Sequence, residues 1–261
     1  HLMKLFKELN EKRKIILVNG HGNSYFTAQH GVALLLSLMN KIVPHHNWMK
    51  EGKWRLGDDE AVSIPLRDRK VGLLGYGAIN KKIHKFLSGF DVEFHILKRS
   101  WYDGEISKEK KYLPEQLHEF LNEVDTLVIA LPDTDETNNL ISAKELEVFG
   151  KNKNSVLVNI ARGAIINEEA LYNALKNNVI AGAALDVWYN YSPEVDAEGK
   201  KFPYDSVKHP FHELENVIIS PHRAASPHDD LKRWNEVIEN ISRFAKREKD
   251  FVNTVDITKG Y

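Results

Sequence analysis

Short apolar runs alternate with amphipathic segments along this chain, and that alternation constrains its fold more than any other feature. Seven runs have the length of a β-strand: IILVN at 15–19, VGLLG at 71–75, VEFHIL at 92–97, TLVIA at 126–130, SVLVN at 155–159, AGAAL at 181–185 and NVIIS at 216–220. Near-continuous apolar strands are typical of parallel sheets buried on both faces.

Helical patterns separate most of these runs. They cover 78–87, 114–122, 143–149 and 168–177, the last behind an N-cap at Asn167. Repeated βαβ units of this kind predict an α/β fold with a doubly wound parallel sheet. Apolar residues also recur at helical spacing from Leu231 to Phe244 and predict a long amphipathic helix whose apolar stripe packs on a neighbour.

The composition excludes several classes of protein. The 261 residues include 36 Lys and Arg against 37 Asp and Glu, so no net charge marks the chain for nucleic acid or an anionic membrane. The longest apolar run, VALLLSLM at 32–39, is far shorter than the ~20 residues that span a bilayer. Cysteine is absent, which excludes disulfides and thiolate metal sites and suits a cytoplasmic protein. No metal is expected, and KEKK at 108–111 is interpreted as solvated loop charge.

The segment GLLGYGAIN at 72–80 lies between a predicted strand and a predicted helix, where a dinucleotide-binding turn belongs. Gly75 and Gly77 match two glycines of the G-x-G-x-x-G pattern, one for the turn and one for close approach to a diphosphate. Asn80 replaces the third, which mainly allows close packing of helix on strand. By itself the segment is equally consistent with a tight structural turn.

The end of the next strand, HILKRSW at 95–101, bears on which dinucleotide would bind. Domains that prefer NAD carry an acidic residue at this place for the ribose 2′-hydroxyl. Here Lys98, Arg99 and Ser100 stand there, and two cations with a hydroxyl attract a 2′-phosphate. The sequence therefore predicts NADP in preference to NAD, with a solvated basic turn as the alternative.

Three further segments resemble signature blocks of the D-isomer-specific 2-hydroxyacid dehydrogenases. They are ALPDTDETNNLI at 130–141, VLVNIARGAIINEEAL at 156–171 and NVIISPHRA at 216–224, and AALDV at 183–187 and GKW at 52–54 add to the match. The resemblance covers nearly the whole chain, from residue 15 to residue 256. It implies a Rossmann-type domain, a flavodoxin-like substrate domain and NAD(P)-dependent hydride transfer.

The resemblance assigns catalysis to Arg162 and His222. Reduction of a 2-oxo acid needs a cation that grips the carboxylate and polarises the carbonyl, and an acid that protonates the oxygen. By the match, Arg162 in NIARG is the cation and His222 in SPHRA is the acid, acting as base in the reverse direction. A surface ion pair for Arg162 and a satisfied buried ring for His222 are the alternatives.

The resemblance also implies cofactor contacts, against which ordinary core and capping roles are the alternative. Residues under the diphosphate would be Gly75, Gly77, Ala78 and Ile79. Residues around the adenosine ribose would be Lys98, Arg99 and Ser100. Residues lining the adenine side would be Leu131, Pro132 and Thr137. Residues near the nicotinamide would be Ile160, Ala161 and Asp186, with Asp186 accepting from the carboxamide.

One departure from the family concerns the partner of the catalytic histidine. Members usually carry a glutamate in an EP dipeptide after LDV, but LDVWYNYSPE places Tyr191 there, or Ser192 if the proline is the anchor. Glu194, just beyond, is a second candidate partner. Because a histidine without an ionised partner has a pKa near its reference value of ~6.5, we expect reduction to weaken as pH rises through neutrality and Tyr191→Glu to extend the active range upward.

A second departure concerns the substrate domain. Family members carry roughly half of that domain before the equivalent of IILVNGHGN, so we interpret the domain as truncated and formed by residues 1–26 and 225–261. The dinucleotide-binding domain would then be residues 27–224. The residues HLM at 1–3 resemble the end of the family's GVDHL stretch, and a short expression scar is the alternative.

Three functions are consistent with these observations. The favoured one is reduction of a small 2-oxo acid, such as glyoxylate or hydroxypyruvate, by NADPH. A nicotinamide-sensing binding protein on the same fold is the alternative, and a formate-type dehydrogenase, whose members also lack the glutamate, is the third. The resemblance further implies a homodimer through the helix with VALLLSL, flanked by exposed Trp48 and Trp54; burial within the monomer is its alternative.

Overall fold

The computed structural model describes residues 2–54, 61–102, 108–227 and 230–257. The chain divides into two compact units, one formed by residues 27–224 and the other by residues 1–26 together with 225–261. That these units are a dinucleotide-binding domain and part of a substrate domain stays a prediction. No helix within the described ranges is long and apolar enough to cross a membrane.

A parallel sheet forms the centre of the larger unit. The seven strands described are β1 (Lys70–Leu74), β2 (Glu93–Leu97), β3 (Lys110–Tyr112), β4 (Thr126–Ile129), β5 (Val156–Asn159), β6 (Gly182–Leu185) and β7 (Val217–Ile219). Their order across the sheet is β3-β2-β1-β4-β5-β6-β7. The order reverses between β1 and β4, as in a doubly wound Rossmann-type fold, so the predicted fold class is confirmed.

Eight helices have described bounds. They are α1 (Leu2–Lys12), α2 (Ser24–Met39), α3 (Ile42–Lys50), α4 (Ala78–Leu87), α5 (Leu117–Glu123), α6 (Ala143–Gly150), α7 (Glu168–Lys176) and α8 (Asn235–Ala245). Short 3-10 turns occupy Pro114–Gln116, Gly163–Ile165, Phe211–Glu213 and Lys232–Trp234. The Asn167 cap is confirmed, since its side chain accepts a hydrogen bond from Ala170 N at 3.0 Å.

The sheet carries a hydrophobic cluster on each face. Along β4, Leu127 and Ile129 belong to one cluster and Val128 to the other, as the alternation of side chains along a strand requires. Helices α5, α6 and α7 supply the first cluster with residues such as Phe120 and Phe149. Helices α2 and α4 supply the second, including Leu35, which is fully buried. Helices therefore cover both faces of the sheet and leave its edges for loops.

One strand prediction and one loop interpretation are wrong. The run at 15–19 makes only an isolated antiparallel bridge between Val18 and Thr254, and Ile16 is 61% exposed. Among the described residues of the smaller unit there is no sheet that this run could join. In contrast, β3 overlaps KEKK at 108–111, which we interpreted as loop, and extends to Tyr112. The sequence does not show this strand for two reasons. Lysines are common on edge strands because they discourage pairing with other chains, and a strand of three residues is too short to show an alternation of apolar and polar side chains.

The apolar stripe near the end of the chain also differs from expectation. The helix is present as α8, but Leu231, Ile238, Ile241 and Phe244 are 60–73% exposed. Both hydrophobic clusters described above lie in the larger unit. The described part of the smaller unit therefore has no comparable core on which this stripe could pack.

Candidate active site

The register of the sheet brings the carboxyl ends of its strands to one edge. Leu74 at the end of β1 is level with Leu97 of β2 and Ile129 of β4. The same level continues through Asn159 of β5 and Leu185 of β6 to Ile219 of β7. Each predicted site segment begins directly after one of these residues, so the fold itself gathers the predicted site.

The turn after β1 separates the roles of its two glycines. Gly75 has φ +85°, and a Cβ placed on it would lie 2.6 Å from Ala130 O and 2.8 Å from Leu131 Cδ2. Gly77 has φ −88° and caps α4, and no atom lies within 4 Å of where its Cβ would be. Gly75 therefore serves the turn, whereas Gly77 leaves open space at the N-terminus of a helix, with Ala78 and Ile79 half-buried behind it.

Asn80 contributes more than the sequence indicates. Its side chain is fully buried, and Nδ2 donates to Gly75 O at 2.6 Å, to Leu74 O at 3.3 Å and to Val128 O at 3.4 Å. In the sequence this residue only replaces the third glycine of the G-x-G-x-x-G pattern. In the structure, its amide ties the turn to β1 and β4, a role that depends on a strand distant in sequence.

A basic cluster lies beyond the end of β2. Lys98 Nζ is 4.7 Å from the centre of the Trp101 ring, and Lys111 Nζ is 5.2 Å from the same ring. Lys98 and Lys111 thus share one aromatic platform, with Arg99 and Ser100 exposed beside Lys98. Sequence reasoning missed Lys111, because it belongs to the strand β3 that we interpreted as loop.

The backbone of Tyr112 holds two members of this cluster, Trp101 and Lys98, in place. Its carbonyl accepts hydrogen bonds from Trp101 Nε1 at 3.0 Å and from Lys98 N at 3.2 Å. Burial raises the pKa of the Tyr112 phenol, and the hydrogen bond that the phenol donates to Glu123 at 3.0 Å raises that pKa further. The phenol therefore stays protonated across the physiological range of pH and keeps its hydrogen bond to Glu123.

The loop after β4 is closed by one hydroxyl. Thr137 Oγ1 donates to Pro132 O at 2.7 Å and accepts from Thr134 N at 2.9 Å. Leu131 is half-buried beside Gly75, and Pro132 is exposed. These contacts give Thr137 the capping role that we kept as an alternative, and its predicted contact with adenosine stays a prediction.

The loop after β5 presents Arg162. Asn159 is buried, accepts from Ala161 N at 3.1 Å and donates to Arg162 O at 2.9 Å, so its amide closes the loop. Ile160 and Ala161 are 5% exposed, whereas Arg162 is exposed, with Nη1 2.6 Å from Ala161 O. No carboxylate in the described part of the chain is recorded in an ion pair with Arg162. The alternative role of Arg162, a surface ion pair, therefore has no support among the described residues.

His222 is exposed and has a left-handed backbone, with φ +56°. Its ring lies 5.2 Å from the ring of Tyr191 at an interplanar angle of 80°. Among the described residues neither Glu194 nor another carboxylate forms an ion pair with His222. The fold thus brings Tyr191 to His222, and Glu194 is exposed. Because His222 is itself exposed, the alternative of a buried, satisfied ring does not apply.

Asp186 is the buried centre of the segment that carries His222. It is 2% exposed; Oδ1 accepts from Ser220 Oγ at 2.5 Å and Arg223 N at 2.9 Å, and Oδ2 accepts from Ala224 N at 2.9 Å. His30 Nε2 lies 3.0 Å from Ser220 Oγ. Sequence reasoning missed Ser220 and His30. The predicted bond from Asp186 to a nicotinamide carboxamide stays a prediction.

A Gly-rich turn lies at the switch point of the doubly wound parallel sheet, with an arginine and a histidine along the same edge, which is where folds of this class bind dinucleotides. A family model for the D-isomer specific 2-hydroxyacid dehydrogenase, NAD binding domain, matches residues 32–224. The chain belongs to this family.

Curated relatives include several activities. A glyoxylate reductase of Korarchaeum cryptofilum is 30% identical over 244 residues, covering 91% of this chain and 68% of its own length. A D-3-phosphoglycerate dehydrogenase of Archaeoglobus fulgidus is 34% identical over 245 residues, covering 90% of this chain and 42% of its own length. The chain therefore spans about two fifths to two thirds of these relatives.

Solved structures show the same fold. The NADPH-dependent glyoxylate/hydroxypyruvate reductase of Sinorhizobium meliloti, solved with NADP and malonate, matches with a TM-score of 0.77 and 26% identity. The match covers 96% of this chain and 73% of that one.

Proposed function

We propose that this chain binds NADP and takes part in reducing a small 2-oxo acid, such as glyoxylate or hydroxypyruvate, to the D-2-hydroxy acid. The order of segments along the sheet edge is the observation that carries the proposal. Lys98 follows β2, Gly75 follows β1, Arg162 follows β5 and His222 follows β7. A dinucleotide laid along that edge has its adenosine end near Lys98 and its nicotinamide end toward Arg162 and His222.

The turn fits a dinucleotide diphosphate. The space next to Gly77 is open, and the unpaired N–H groups at the start of α4 carry the positive end of the helix dipole. A side chain at residue 77 would fill that space. When bound, NADPH supplies the hydride, so the protein has to hold the 2-oxo acid and provide the proton.

The basic cluster supports NADP in preference to NAD. Lys98 and Lys111 bring two ammonium groups to one ring, and a 2′-phosphate would offset their mutual repulsion. We expect Lys98→Gln with Lys111→Gln to raise KM for NADPH by at least about tenfold and leave KM for NADH nearly unchanged, since the loss of charge-assisted bonds costs about 1.5–3 kcal/mol. Equal changes for both cofactors would contradict the preference.

Arg162 and His222 divide the chemistry. The guanidinium of Arg162 is exposed at the sheet edge, and its planar fork can bind a carboxylate through two hydrogen bonds while polarising the adjacent carbonyl. Hydride adds to C2 of the 2-oxo acid, the electron pair of the C=O bond moves to oxygen, and protonated His222 gives its proton to that oxygen. In the reverse direction neutral His222 takes the proton back.

The decisive experiment follows the loss of reduced-nicotinamide absorbance with NADPH or NADH and a panel of 2-oxo acids, in the wild type and in His222→Ala. Turnover that prefers NADPH and falls at least about 100-fold in His222→Ala supports the proposal. Turnover unaffected by the substitution would exclude His222 as the acid. Because the chain spans only part of its relatives, the longest available form of the protein should be assayed beside residues 1–261.

A cofactor-sensing binding protein is the second candidate, and one observation favours it. The ring beside His222 belongs to Tyr191, a phenol at the position where the family usually has a glutamate. Tight NADPH binding without turnover on any 2-oxo acid would support this function. A formate dehydrogenase of Pseudomonas is also 28% identical over 186 residues, so formate with NADP belongs in the assay as the third candidate.

We also propose a homodimer. Leu35 and Met39 of α2 are buried inside the larger unit, in line with the alternative of burial within the monomer, and a contact of this helix with a partner stays a prediction. Trp48 is half-buried and Trp54 is 71% exposed. The apolar residues exposed on α3 and after it are Ile42, Val43, Met49, Trp54 and Val62. If this face forms the dimer, Val43→Glu with Met49→Glu halves the molar mass in light scattering, whereas Val207→Glu, at another exposed position, leaves it unchanged.

A further inference from the structure

The backbone around His222 is fixed on both sides. On one side, Ser220 N donates to Leu185 O at 2.8 Å, and Ser220 O accepts from Trp188 Nε1 at 2.8 Å. On the other side, Arg223 N and Ala224 N donate to the two oxygens of Asp186. A histidine at φ +56° is strained and persists only where its surroundings determine the backbone. The hydrogen bonds from Arg223 N and Ala224 N to Asp186 hold the backbone of His222 in this conformation.

The hydrogen bonds that meet at Asp186 have a defined direction. An ionised carboxylate only accepts, so the Ser220 hydroxyl gives its one hydrogen to Asp186 Oδ1. His30 Nε2, 3.0 Å from the same hydroxyl oxygen, must then donate to it. His30 N–H thus donates to the Ser220 hydroxyl, which donates to Asp186, and His30 Nε2 also lies 3.5 Å from Asp186 Oδ1. All three residues belong to the larger unit.

This direction distinguishes the cluster from a nucleophilic site. A serine nucleophile gives its proton to a histidine, whereas here the histidine donates to the serine. Ser220 is also only 7% exposed. A buried hydroxyl that both receives and donates a hydrogen bond holds its neighbours in place, and what it holds is the carboxylate that anchors the backbone after His222.

We propose that His30 and Ser220 are positioning residues for His222, acting through Asp186. This inference rests on the proposed role of His222 as the catalytic acid. Without the hydroxyl of Ser220, Oδ1 of Asp186 loses a short hydrogen bond, and the carboxylate can turn away from Arg223 N. The left-handed residue between the two anchors then relaxes, and its ring leaves the position at which it meets the substrate oxygen.

Ser220→Thr and Ser220→Val form a matched pair, because threonine and valine have the same shape and differ in the hydroxyl. We expect kcat in Ser220→Val to be about 10- to 100-fold below that in Ser220→Thr, the loss that a hydrogen bond to a charged group corresponds to. KM for NADPH should differ less between the two variants than kcat does, because Ser220 is not part of the predicted diphosphate turn or basic cluster and acts on the cofactor only through the predicted contact of Asp186. Amide hydrogen exchange gives a second readout. Arg223 N–H and Ala224 N–H should exchange faster in Ser220→Val and remain protected in Ser220→Thr.

Equal kcat and equal amide protection in the two variants would overturn the inference. If Ser220→Val does not fold, His30→Gln and His30→Leu provide the same comparison, since glutamine keeps an N–H donor and leucine does not. If the wild type turns over no 2-oxo acid, the proposed function fails, while the exchange of the two amides still tests whether Ser220 and His30 fix the segment.

Discussion

Replacing Gly75 or Gly77 by alanine separates the part that the Gly-rich turn plays in folding from the part that it plays in binding. At Gly75, the left-handed backbone costs an alanine about 1–2 kcal/mol. Its Cβ would also lie 2.6 Å from Ala130 O, a backbone atom that cannot move aside freely, and overpacking of this kind costs about 1–3 kcal/mol. We therefore expect Gly75→Ala to lower the free energy of unfolding by about 2–5 kcal/mol.

Gly77→Ala should behave in the opposite way. Its backbone is extended and no atom lies within 4 Å of the new Cβ, so the free energy of unfolding should change by less than about 1 kcal/mol. The methyl group would occupy the space proposed for the diphosphate. A steric cost of about 1–3 kcal/mol corresponds to a Kd for NADPH about 5- to 150-fold higher.

Urea denaturation followed by tryptophan fluorescence measures the first effect, and titration calorimetry with NADPH measures the second. Gly75→Ala should lower the stability measured by urea denaturation. Gly77→Ala should keep that stability but weaken the binding of NADPH measured by calorimetry. A Gly77→Ala variant that binds NADPH as the wild type does would refute the turn as the diphosphate site. A Gly75→Ala variant of unchanged stability would refute the left-handed geometry of the turn.

Three further substitutions test other contacts. Tyr191→Glu places a carboxylate beside His222, stabilises the imidazolium that donates the proton, and should extend reduction to higher pH, while Tyr191→Phe leaves the pH profile unchanged. Arg69→Met removes the partner of Asp125, 2.9 Å away and largely buried, and should lower the free energy of unfolding by about 3–5 kcal/mol in urea denaturation; a change below about 1 kcal/mol would contradict this. Burial raises the pKa of Glu145, but hydrogen bonds from a histidine ring and from the serine that caps α6 outweigh it and lower the pKa to about 2. The contribution of this charge to the free energy of unfolding is complete above pH 4.5 and is lost as pH falls toward 2. Glu145→Gln keeps the cap but removes the charge, so the free energy of unfolding should fall by about 1–2 kcal/mol less between pH 4.5 and 2 in this variant than in the wild type. Parallel acid profiles of wild type and variant would oppose that reasoning.

Local sequence determined most of the elements. Apolar runs that include Val71 and Val156 became buried strands, and the Asn167 cap starts α7, because strand burial and helix capping depend on residues a few positions apart. The order of blocks likewise identified the family, since Arg162 and His222 each lie in a recognisable segment. These features are readable before any tertiary contact is known.

Predictions failed where the answer depended on distant neighbours. The run at 15–19 has the composition of a strand, but within the described ranges it pairs only through a bridge to Thr254, whereas Lys110–Tyr112 lacks that composition and pairs with the edge of β2. Asn80 looked like a missing glycine, and only the position of β4 shows that its amide reaches Val128 O. Composition alone does not say which strand lies beside which.

The sequence by itself determined the fold class, the family and the two residues proposed for catalysis. Tertiary structure alone decided how those residues are held. His30 and Ser220 are 190 positions apart, yet they meet beside Asp186, and Tyr191 rather than Glu194 reaches the ring of His222. Such contacts are set by the order and register of parallel strands, which bring chain ends from different βαβ units to one edge, and no local pattern of residues encodes that geometry.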